Sequence, residues 1–403
     1  MAGVRILEVA QFMFAPSASG ILADWGADVI RIEHPVNGDA ARGFVGYTGL
    51  AVGSFMPMME HANRGKRSIG LDIASPAGRA ILMELAATSD VFLTNFLPDA
   101  RRRLRIDVED LREANPDIIY VRASALGAKG PEAELGGYDS SVFWARGGSA
   151  AGVTPPEFDG VLPMPGGAYG DSIGGMTLAG GIAGALFARS STGEPSIVDV
   201  SLLSVATWVM GLWVDCALLT GEAPPQILEL TTSAAGANPL TNNYQTSDGR
   251  WIALAMMQPS RYWEAFSESL GRPDLAKDER FSTFDRLLSN AAEARSLIAA
   301  EIQNRSLAEW TERFATFEGQ WAPVQNPLEL GNDAQVRANG YISEITDVEG
   351  NSRSLVVNPV QFDERPPSVH RAPQFAEHTD EVIRMLGYDD DRLLELKLAG
   401  TIT

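Results

Sequence analysis

Short apolar runs and amphipathic helical stretches alternate through the first third of the chain, and this alternation limits the possible folds more than any other feature. The runs "VRILEV", "DVIRIE", "RSIGLDI", "DVFLTNF" and "IIYVRAS" contain many β-branched residues, which is typical of buried parallel strands. Between them lie helical patterns such as "SPAGRAILMELAATS", where Ser75 is the predicted N-cap and Pro76 takes the first helical position. Repeated β-α-β units predict a doubly wound parallel sheet in an α/β domain.

The turn after the first strand lacks the glycines of a dinucleotide-binding fold. It reads "AQFMFAP", where a pyrophosphate would need G-x-G-x-x-G. A site for a dinucleotide cofactor is therefore disfavoured.

The second half of the chain changes character. A Gly- and Ala-rich helical pattern begins near residue 174, and "IVDVSLLSVATWVMGLWVDCALL" predicts a strand running into one long helix. A Pro-, Thr- and Gly-rich linker over 221–240 precedes "YQTSDGRWIALAM", which predicts a hairpin turning at Asp248 and Gly249. The helices that follow, over about 259–318, predict a smaller second domain.

Charge and composition exclude several function classes. The formal net charge is −20, so the chain lacks the basic surface that non-specific nucleic-acid binding needs. The start, "MAGVRILEVA", has no signal-peptide pattern, and the apolar tract around 205–219 is interrupted by Asp215 and too short to span a membrane. We expect a cytoplasmic protein that binds neither nucleic acid nor membranes.

Metal and disulfide chemistry are also disfavoured. With Cys216 as the one cysteine, no intrachain disulfide can form. None of the histidines has metal-site spacing; they are His34, His61, His370 and His378.

The stretch "GDSIGG" at 170–175 contains the spacing of a serine-hydrolase nucleophile elbow around Ser172. Such an elbow follows a buried strand, whereas "VLPMPGGAY" precedes this one and its prolines and glycines make a poor central strand. His370 and His378 follow in the chain, but no pattern ties either to Ser172 as its base. A serine hydrolase is therefore a distant alternative.

Asp171 in the same stretch admits two interpretations. One is a helix cap, since an aspartate before a helix accepts a backbone N–H bond. The other is a carboxylate nucleophile, with Gly170, Gly174 and Gly175 leaving room for a substrate and the helix start stabilising an oxyanion. The residues alone leave both open.

Two basic clusters fall near predicted strand ends, where α/β sheets bind ligands. They are "NRGKRS" at 63–68 and "DARRRLR" at 99–105. Each is either a solvated face or a phosphate site, and the pattern does not separate the two.

Several ordered segments together resemble one family, the class III CoA-transferases, which include formyl-CoA and carnitine CoA-transferases. The resemblance covers nearly the whole chain and is carried by residues 3–35, 63–98, 137–139, 170–189, 198–203, 247–255 and 378–387. It implies a large CoA-binding α/β domain built from both chain ends, 1–220 and 325–403, and a smaller inserted α+β domain over 221–324. It also implies an interlocked homodimer of ring-like subunits.

The resemblance assigns Asp171 the role of nucleophile. Its carboxylate would attack a donor acyl-CoA, pass through a mixed anhydride and an aspartyl-CoA thioester, and then activate an acceptor carboxylic acid. Coenzyme A enters only as part of a substrate, and neither a metal nor a permanently bound cofactor is implied.

The resemblance also implies binding residues. Arg103 is the best candidate for a CoA phosphate contact, and His34 departs from the arginine expected at its position. The implied CoA-binding residues are Met13, Phe14, His34, Leu71, Ala74, Asn95, Phe96, Leu97, Arg103, Tyr138 and Asp139. Gln11, Phe143 and Trp144 are expected at the pocket of an aryl, 2-hydroxy or medium-size carboxylate, unless these aromatic residues belong to the core.

Two other functions fit the same resemblance. The α-methylacyl-CoA racemases share the fold but carry a histidine base about where Tyr138 stands, and tyrosine is a poor base at neutral pH. A non-catalytic CoA-binding protein is the other alternative. "TTSAAGANPL" at 231–240 is the nearest equivalent of the family's glycine-rich loop over the active site.

Overall fold

The computed structural model describes residues 1–44, 55–225 and 238–403. The first seven residues of the "TTSAAGANPL" segment, which was predicted as the nearest equivalent of the glycine-rich loop, lie outside this range. The strands are β1 Arg5–Val9, β2 Asp28–Glu33, β3 Arg67–Gly70, β4 Val91–Thr94, β5 Ile119–Ser124, β6 Ile197–Ser201, β7 Asn243–Gln245, β8 Trp251–Leu254, β9 Trp321–Pro323, β10 Ile342–Thr346 and β11 Ser352–Val356.

The α-helices are α1 Phe14–Asp24, α2 Pro57–Asn63, α3 Pro76–Ala87, α4 Pro98–Leu104, α5 Val108–Ala114, α6 Ser149–Val153, α7 Tyr169–Thr192, α8 Leu202–Val209, α9 Gly211–Thr220, α10 Pro259–Leu270, α11 Pro273–Lys277, α12 Phe284–Ser289, α13 Ala291–Ile302, α14 Leu307–Arg313, α15 Pro327–Asn332, α16 Ala334–Ala338, α17 Thr379–Met385 and α18 Asp390–Leu398. A π-helix spans Ser140–Arg146, and short 3₁₀ helices span Ala40–Gly43, Glu279–Phe281 and Phe314–Thr316.

A six-stranded parallel sheet organises the first compact unit, which comprises residues 1–151, 161–215 and 334–403. Its strand order is β3-β2-β1-β4-β5-β6. One face packs against α1, α7 and α8 and the other against α3, α5 and the C-terminal α17 and α18. The predicted parallel α/β sheet is thereby confirmed.

The strand order reverses between β1 and β4. The chain runs outward from β1 to β2 and β3, then returns to the other side of β1 as β4. In open parallel sheets, the crevice at the carboxyl ends of two such strands is where ligands bind. Gln11 and Asn95, which come just after β1 and β4, lie at this point.

The second unit comprises residues 152–160 and 216–333 and is built on a three-stranded antiparallel sheet, β7-β8-β9. The predicted hairpin turns at Asp248 and Gly249, where Gly249 has φ +76°. Its core contains Phe266, Trp310 and Phe314.

The segment after β6 departs from the prediction of one long helix. It forms α8 and α9, which meet at an angle of 73°. No helix in the described ranges is by itself long and apolar enough to cross a membrane. The bent pair α8 and α9 reaches that length and apolar character only when its two helices are counted together. The last helix, α18, was not predicted, because its mixture of charged and apolar residues gives only a weak helical pattern.

Candidate active site

Asp171 is the third residue of α7, and this helix starts in an unusual way. The N-cap is Ala168, which has a left-handed backbone (φ +57°) and no side chain that can cap. The cap comes instead from the buried Asp139, whose two carboxylate oxygens each accept from the Gly170 N–H at 3.1 Å. The interpretation of Asp171 as the helix cap is therefore wrong.

The Asp171 carboxylate makes no bond to any of the residues that the structure describes. No hydrogen bond or ion pair to it is found among residues 1–44, 55–225 and 238–403. Burial, and to a lesser extent the nearby Asp139 carboxylate, raises its pKa to about 7. Burial also raises the pKa of Asp139, while backbone N–H groups of Asp171 and Gly170 lower it. Asp171 is thus a carboxylate with unused lone pairs at the start of a helix, a combination that suits a nucleophile.

A cavity of about 1060 Å³ lies at the carboxyl ends of β1, β4 and β5, and Asp171 lines it. This is the crevice where the strand order reverses. The cavity also brings together Gln11, Phe14, Asn95, Phe96, Leu97, Tyr138 and Asp139.

The turn between β1 and α1 forms part of the cavity wall through Gln11 and Phe12. Phe12 has φ +63°, a left-handed conformation that is rare outside glycine. Its ring lies edge-on to Tyr138, with 5.7 Å between ring centroids, and edge-on to Phe44 at 6.4 Å. These rings give this part of the wall an aromatic surface, which the sequence indicated only in general terms.

Other predicted CoA contacts lie away from this cavity. Met13 and Leu71 are buried, and Ala74 is exposed. His34 is also exposed, and its Nδ1 accepts from the backbone N–H groups of Val36 and Asn37. The geometry does not join these residues to Asp171.

Phe143 and Trp144 do not line the cavity either. Phe143 is completely buried in the core against α7, and the indole N–H of Trp144 donates to the Leu162 carbonyl at 2.7 Å. For Phe143 the expectation of a pocket residue is wrong, and the alternative of a core residue is correct.

The arginine cluster on α4 reaches the cavity through Arg101 and Arg102, whereas the side chain of Arg103 is 70% exposed and lies outside the lining. Arg101 pairs with Asp107 at 2.8 Å and Arg102 with Glu134 at 2.9 Å. Because the side chains of Arg102 and Glu134 are both more than half exposed, their pairing is weak.

The cluster at 63–68 is neither a solvated face nor a phosphate site. Lys66 is buried and donates to Glu8 at 2.8 Å, and the buried Arg64 pairs with Asp24 at 2.8 Å. Arg67 pairs with Asp28 at 2.6 Å. These cations neutralise acids inside the fold, so their density in the sequence reflects internal ion pairs.

The glycines around Asp171 serve packing and not substrate access. A Cβ on Gly170 would lie 2.2 Å from the Phe143 ring, one on Gly174 would lie 2.5 Å from the Phe14 ring, and one on Gly175 would lie 2.6 Å from the Ser17 Cβ. The prediction that they make room for a substrate is wrong, because the π-helix fills the space beside Gly170 and α1 fills the space beside Gly174 and Gly175.

Ser172 has a histidine neighbour that the sequence did not reveal. His61 Nε2 lies 3.5 Å from Ser172 Oγ, while the Ser172 hydroxyl donates to the Ala168 carbonyl at 2.8 Å. Burial, with Arg64 nearby, lowers the pKa of His61 to about 4, so the ring is neutral at pH 7. The hydroxyl proton points to a carbonyl, and the described residues 154–168 before α7 contain no strand, so the arrangement is not a serine-hydrolase elbow.

Comparison with known proteins decides the family. The family model for CoA-transferase family III matches residues 1–379. The chain belongs to this family. This CoA-transferase is 32% identical to the cinnamoyl-CoA:phenyllactate CoA-transferase of Clostridium sporogenes, over 98% of its own length and 95% of the relative's.

Two further similarities agree with this assignment. The (R)-2-hydroxy-4-methylpentanoate CoA-transferase of Clostridioides difficile is 30% identical, with 98% of this chain and 97% of the relative covered. Among solved structures, a CAIB/BAIF family protein from Brucella suis superposes with a TM-score of 0.81 at 26% identity, covering 96% of this chain and 98% of that one. The transferase thus has the fold and the activity class of its family.

Proposed function

We propose that Asp171 is the nucleophile of CoA transfer. The observation that carries this proposal is its carboxylate, which has no partner among the described residues and is held at the start of α7 on the wall of the cavity. In the first step a carboxylate oxygen attacks the thioester carbonyl of the donor acyl-CoA, the C–S bond breaks, and CoA leaves as its thiolate. A mixed anhydride of Asp171 and the donor acid remains.

The thiolate then attacks the aspartyl carbonyl of the anhydride. The donor acid leaves as a carboxylate, and Asp171 is now a thioester of CoA. The acceptor carboxylate attacks this thioester and expels CoA thiolate again. The thiolate finally attacks the acceptor's carbonyl, which releases the new acyl-CoA and restores the Asp171 carboxylate.

The electrostatics of the site suit these steps. With a pKa of about 7, a substantial fraction of Asp171 is ionised at neutral pH, and the ionised form is more basic than an ordinary aspartate. A stronger base is a better nucleophile toward a thioester. The positive end of α7 favours the negative charge that develops on the attacked carbonyl.

The aromatic wall supports an acceptor with an apolar side chain. Phe12 and Tyr138 are in contact and line the cavity, and Phe14 adds a third ring. Two relatives are named for phenyllactate and for a 2-hydroxy-4-methylpentanoate. We assign this enzyme a 2-hydroxy carboxylate with an aryl or branched side chain as its acceptor.

For the CoA moiety, Phe96, Leu97 and Arg102 offer apolar surface and one cation on the cavity wall. Arg102 replaces Arg103 as the first candidate for a phosphate contact, because it lines the cavity. Met13, His34, Leu71, Ala74 and Arg103 stay predictions as CoA contacts.

We further propose that the enzyme acts as a homodimer in the cytoplasm and that residues 1–220 and 325–403 form its CoA-binding domain, with 221–324 as the smaller one. Large apolar side chains of the first unit support a second copy as partner: Phe187 is 75% exposed, Trp208 85% and Leu212 75%. Apolar surface of this kind marks protein interfaces.

Trapping of the aspartyl intermediate tests the proposal. The enzyme is incubated with an aryl acyl-CoA, treated with hydroxylamine and digested, and the peptides are analysed by mass spectrometry. We expect a hydroxamate on Asp171 and none on the neighbouring Asp139. Transfer activity that survives in Asp171→Ala would overturn the proposal. Deuterium uptake at the α-carbon of a branched acyl-CoA would instead indicate a racemase, and CoA binding without turnover a binding protein.

A further inference from the structure

The turn that carries Gln11 and Phe12 is held by side chains from two other parts of the first unit. Asn95, just after β4, accepts the Gln11 N–H with its Oδ1 at 3.0 Å and donates through Nδ2 to the Gln11 carbonyl at 2.7 Å. This pair of bonds lies just beyond the last strand pair, Val9 with Thr94, and joins the two chain segments through a side chain.

The next residue is held from the other side. The Phe12 N–H donates to Asp39, at 3.1 Å and 3.3 Å from its two carboxylate oxygens. Asp39 is buried and also accepts the Ala41 N–H at 2.8 Å. The backbone N–H groups of Gln11 and Phe12 thus both donate to side chains from other parts of the sequence.

Asp39 is itself fixed by buried charge. Its carboxylate pairs with Arg31, which is completely buried in β2 and lies 3.7 Å from Glu8 and 3.5 Å from Glu33. Taking this many charges out of water is costly, so such a network is weak evidence for stability in itself. Because Asp39 also accepts the Phe12 N–H, the network holds this acceptor in place beside the turn.

The turn needs such support because Phe12 is left-handed. A bulky residue at φ +63° is strained and persists only where the surroundings enforce it, and strain of this kind concentrates at functional sites. If the turn relaxed, Gln11 and Phe12 would move relative to the cavity that they line together with Asp171.

We propose that Asn95 and Asp39 are positioning residues that hold the β1–α1 turn in its left-handed form, so that Gln11 and Phe12 keep their places on the cavity wall. This inference rests on the proposed function of the cavity. For Asn95 it differs from the CoA contact that the family resemblance implies, because here its amide acts through the Gln11 backbone.

Amide hydrogen–deuterium exchange, resolved to single residues by mass spectrometry with electron-transfer fragmentation, tests the inference directly. In Asn95→Ala we expect the Gln11 N–H to exchange much faster than in the wild type, because its acceptor is gone. We expect kcat to fall by about 10²-fold, the effect of slightly misplaced groups, and the Kd of CoA to be unchanged.

Asn115→Ala is the matched control. Asn115 also uses its carboxamide on the backbone, donating to Ala86 at 3.1 Å and Ser89 at 2.8 Å and accepting from Asp117 at 3.1 Å. It lies before β5, at the opposite end of the sheet from the cavity. Its loss should lower thermal stability but leave kcat and the exchange of Gln11 unchanged.

A second pair of variants covers the case in which Asn95→Ala does not fold. Asp39→Asn keeps an oxygen that can accept the Phe12 N–H but removes the charge opposite Arg31. It should therefore lower Tm, and it should lower kcat less than Asp39→Ala does. Asp39→Ala removes the acceptor as well and should lose kcat and the protection of Phe12 together. Equal effects of both Asp39 variants on kcat at matched stability would contradict the inference.

The remaining outcomes are decisive as well. Unchanged Gln11 exchange in Asn95→Ala, or a raised Kd of CoA with normal kcat, would overturn the positioning role. The exchange measurement does not need turnover. A wild-type enzyme without transferase activity would therefore refute the proposed function and still leave the positioning of the turn to be decided by exchange.

Discussion

Helices α3 and α7 both belong to the first unit, but they satisfy their first backbone N–H groups in opposite ways. In α3, Ser75 caps its own helix by accepting the Gly78 N–H at 3.1 Å, and Pro76 follows. In α7, the N-cap Ala168 cannot cap, and Asp139 accepts the Gly170 N–H from 31 positions away in the chain.

The two caps differ in which polar side chain remains unpaired at the helix start. A local cap uses the polar side chain nearest to the helix start. In α7 the remote cap spares the nearest carboxylate, Asp171, which therefore keeps its lone pairs for chemistry. A helix start that serves a reaction thus has its cap supplied by another part of the fold.

The largest expected effect is a loss of activity that occurs at the start of α7 and not at the start of α3. Asp171→Ala should lower kcat/KM for CoA transfer by about 10³-fold or more, because the nucleophile is gone. Ser75→Ala should leave kcat/KM unchanged and lower the free energy of unfolding by about 1 kcal/mol. Steady-state kinetics with urea unfolding measures both, and a loss of activity in Ser75→Ala matching that of Asp171→Ala would break the comparison.

Removal of either cap should cost similar stability, but only removal of the Asp139 cap should lower activity. Asp139→Ala leaves the Gly170 N–H without its acceptor and should also lower the free energy of unfolding by about 1 kcal/mol. Unlike Ser75→Ala, it should lower kcat as well, because the first turn of α7 carries Asp171. If the two variants lost the same stability and both kept full kcat, the remote cap would have no functional role.

The pH profile measures how Asp139 acts on Asp171. Because attack needs the carboxylate, kcat/KM should fall as pH drops through about 7, the pKa of Asp171 in the free enzyme. Asp139→Asn removes the neighbouring negative charge, which should move this acid limb to lower pH, while burial still keeps it above the usual range of an aspartate. An acid limb at the same pH in both enzymes would exclude the charge effect.

A further expected effect concerns stability alone and needs no measurement of activity. The Asp171 pKa is 3.8 in the unfolded chain and about 7 in the folded one, so the folded state binds more protons between these values and stability falls as pH rises across that window. Asp171→Asn removes this loss. Its Tm should exceed that of the wild type at pH 8, and the difference should shrink toward pH 4.

Ser75→Ala is the control for this comparison. Its Tm should lie below that of the wild type by a similar amount at both pH values, because a serine does not titrate. A Tm of Asp171→Asn that never exceeds the wild-type value would show that the free carboxylate costs the fold nothing.

Much of the fold could be predicted because its signals are local. The runs that became β1, β2 and β5, the cap at Ser75 and the turn at Gly249 depend on residues close together in the chain. The break between α8 and α9 and the presence of α18 escaped prediction, because packing decides where such helices start and end.

The site was predicted less completely. Asp171 was singled out by its neighbours and by the family resemblance, and Gln11, Phe96 and Tyr138 do line the cavity with it. The roles assigned to the glycines and to Phe143 were wrong, since a pattern of small or aromatic residues does not tell an open pocket from a close packing contact.

The parallel sheet and the family could be predicted from the sequence, because apolar period, turn residues and ordered motifs are local features of the chain. Which side chains are paired and which stay free depends on the folded arrangement. Asp139 accepts a hydrogen bond from α7, Asp39 and Asn95 form hydrogen bonds with the β1–α1 turn, and Lys66 pairs with Glu8. Each of these depends on contacts between residues distant in the chain, and such contacts exist only once the sheet has brought them together.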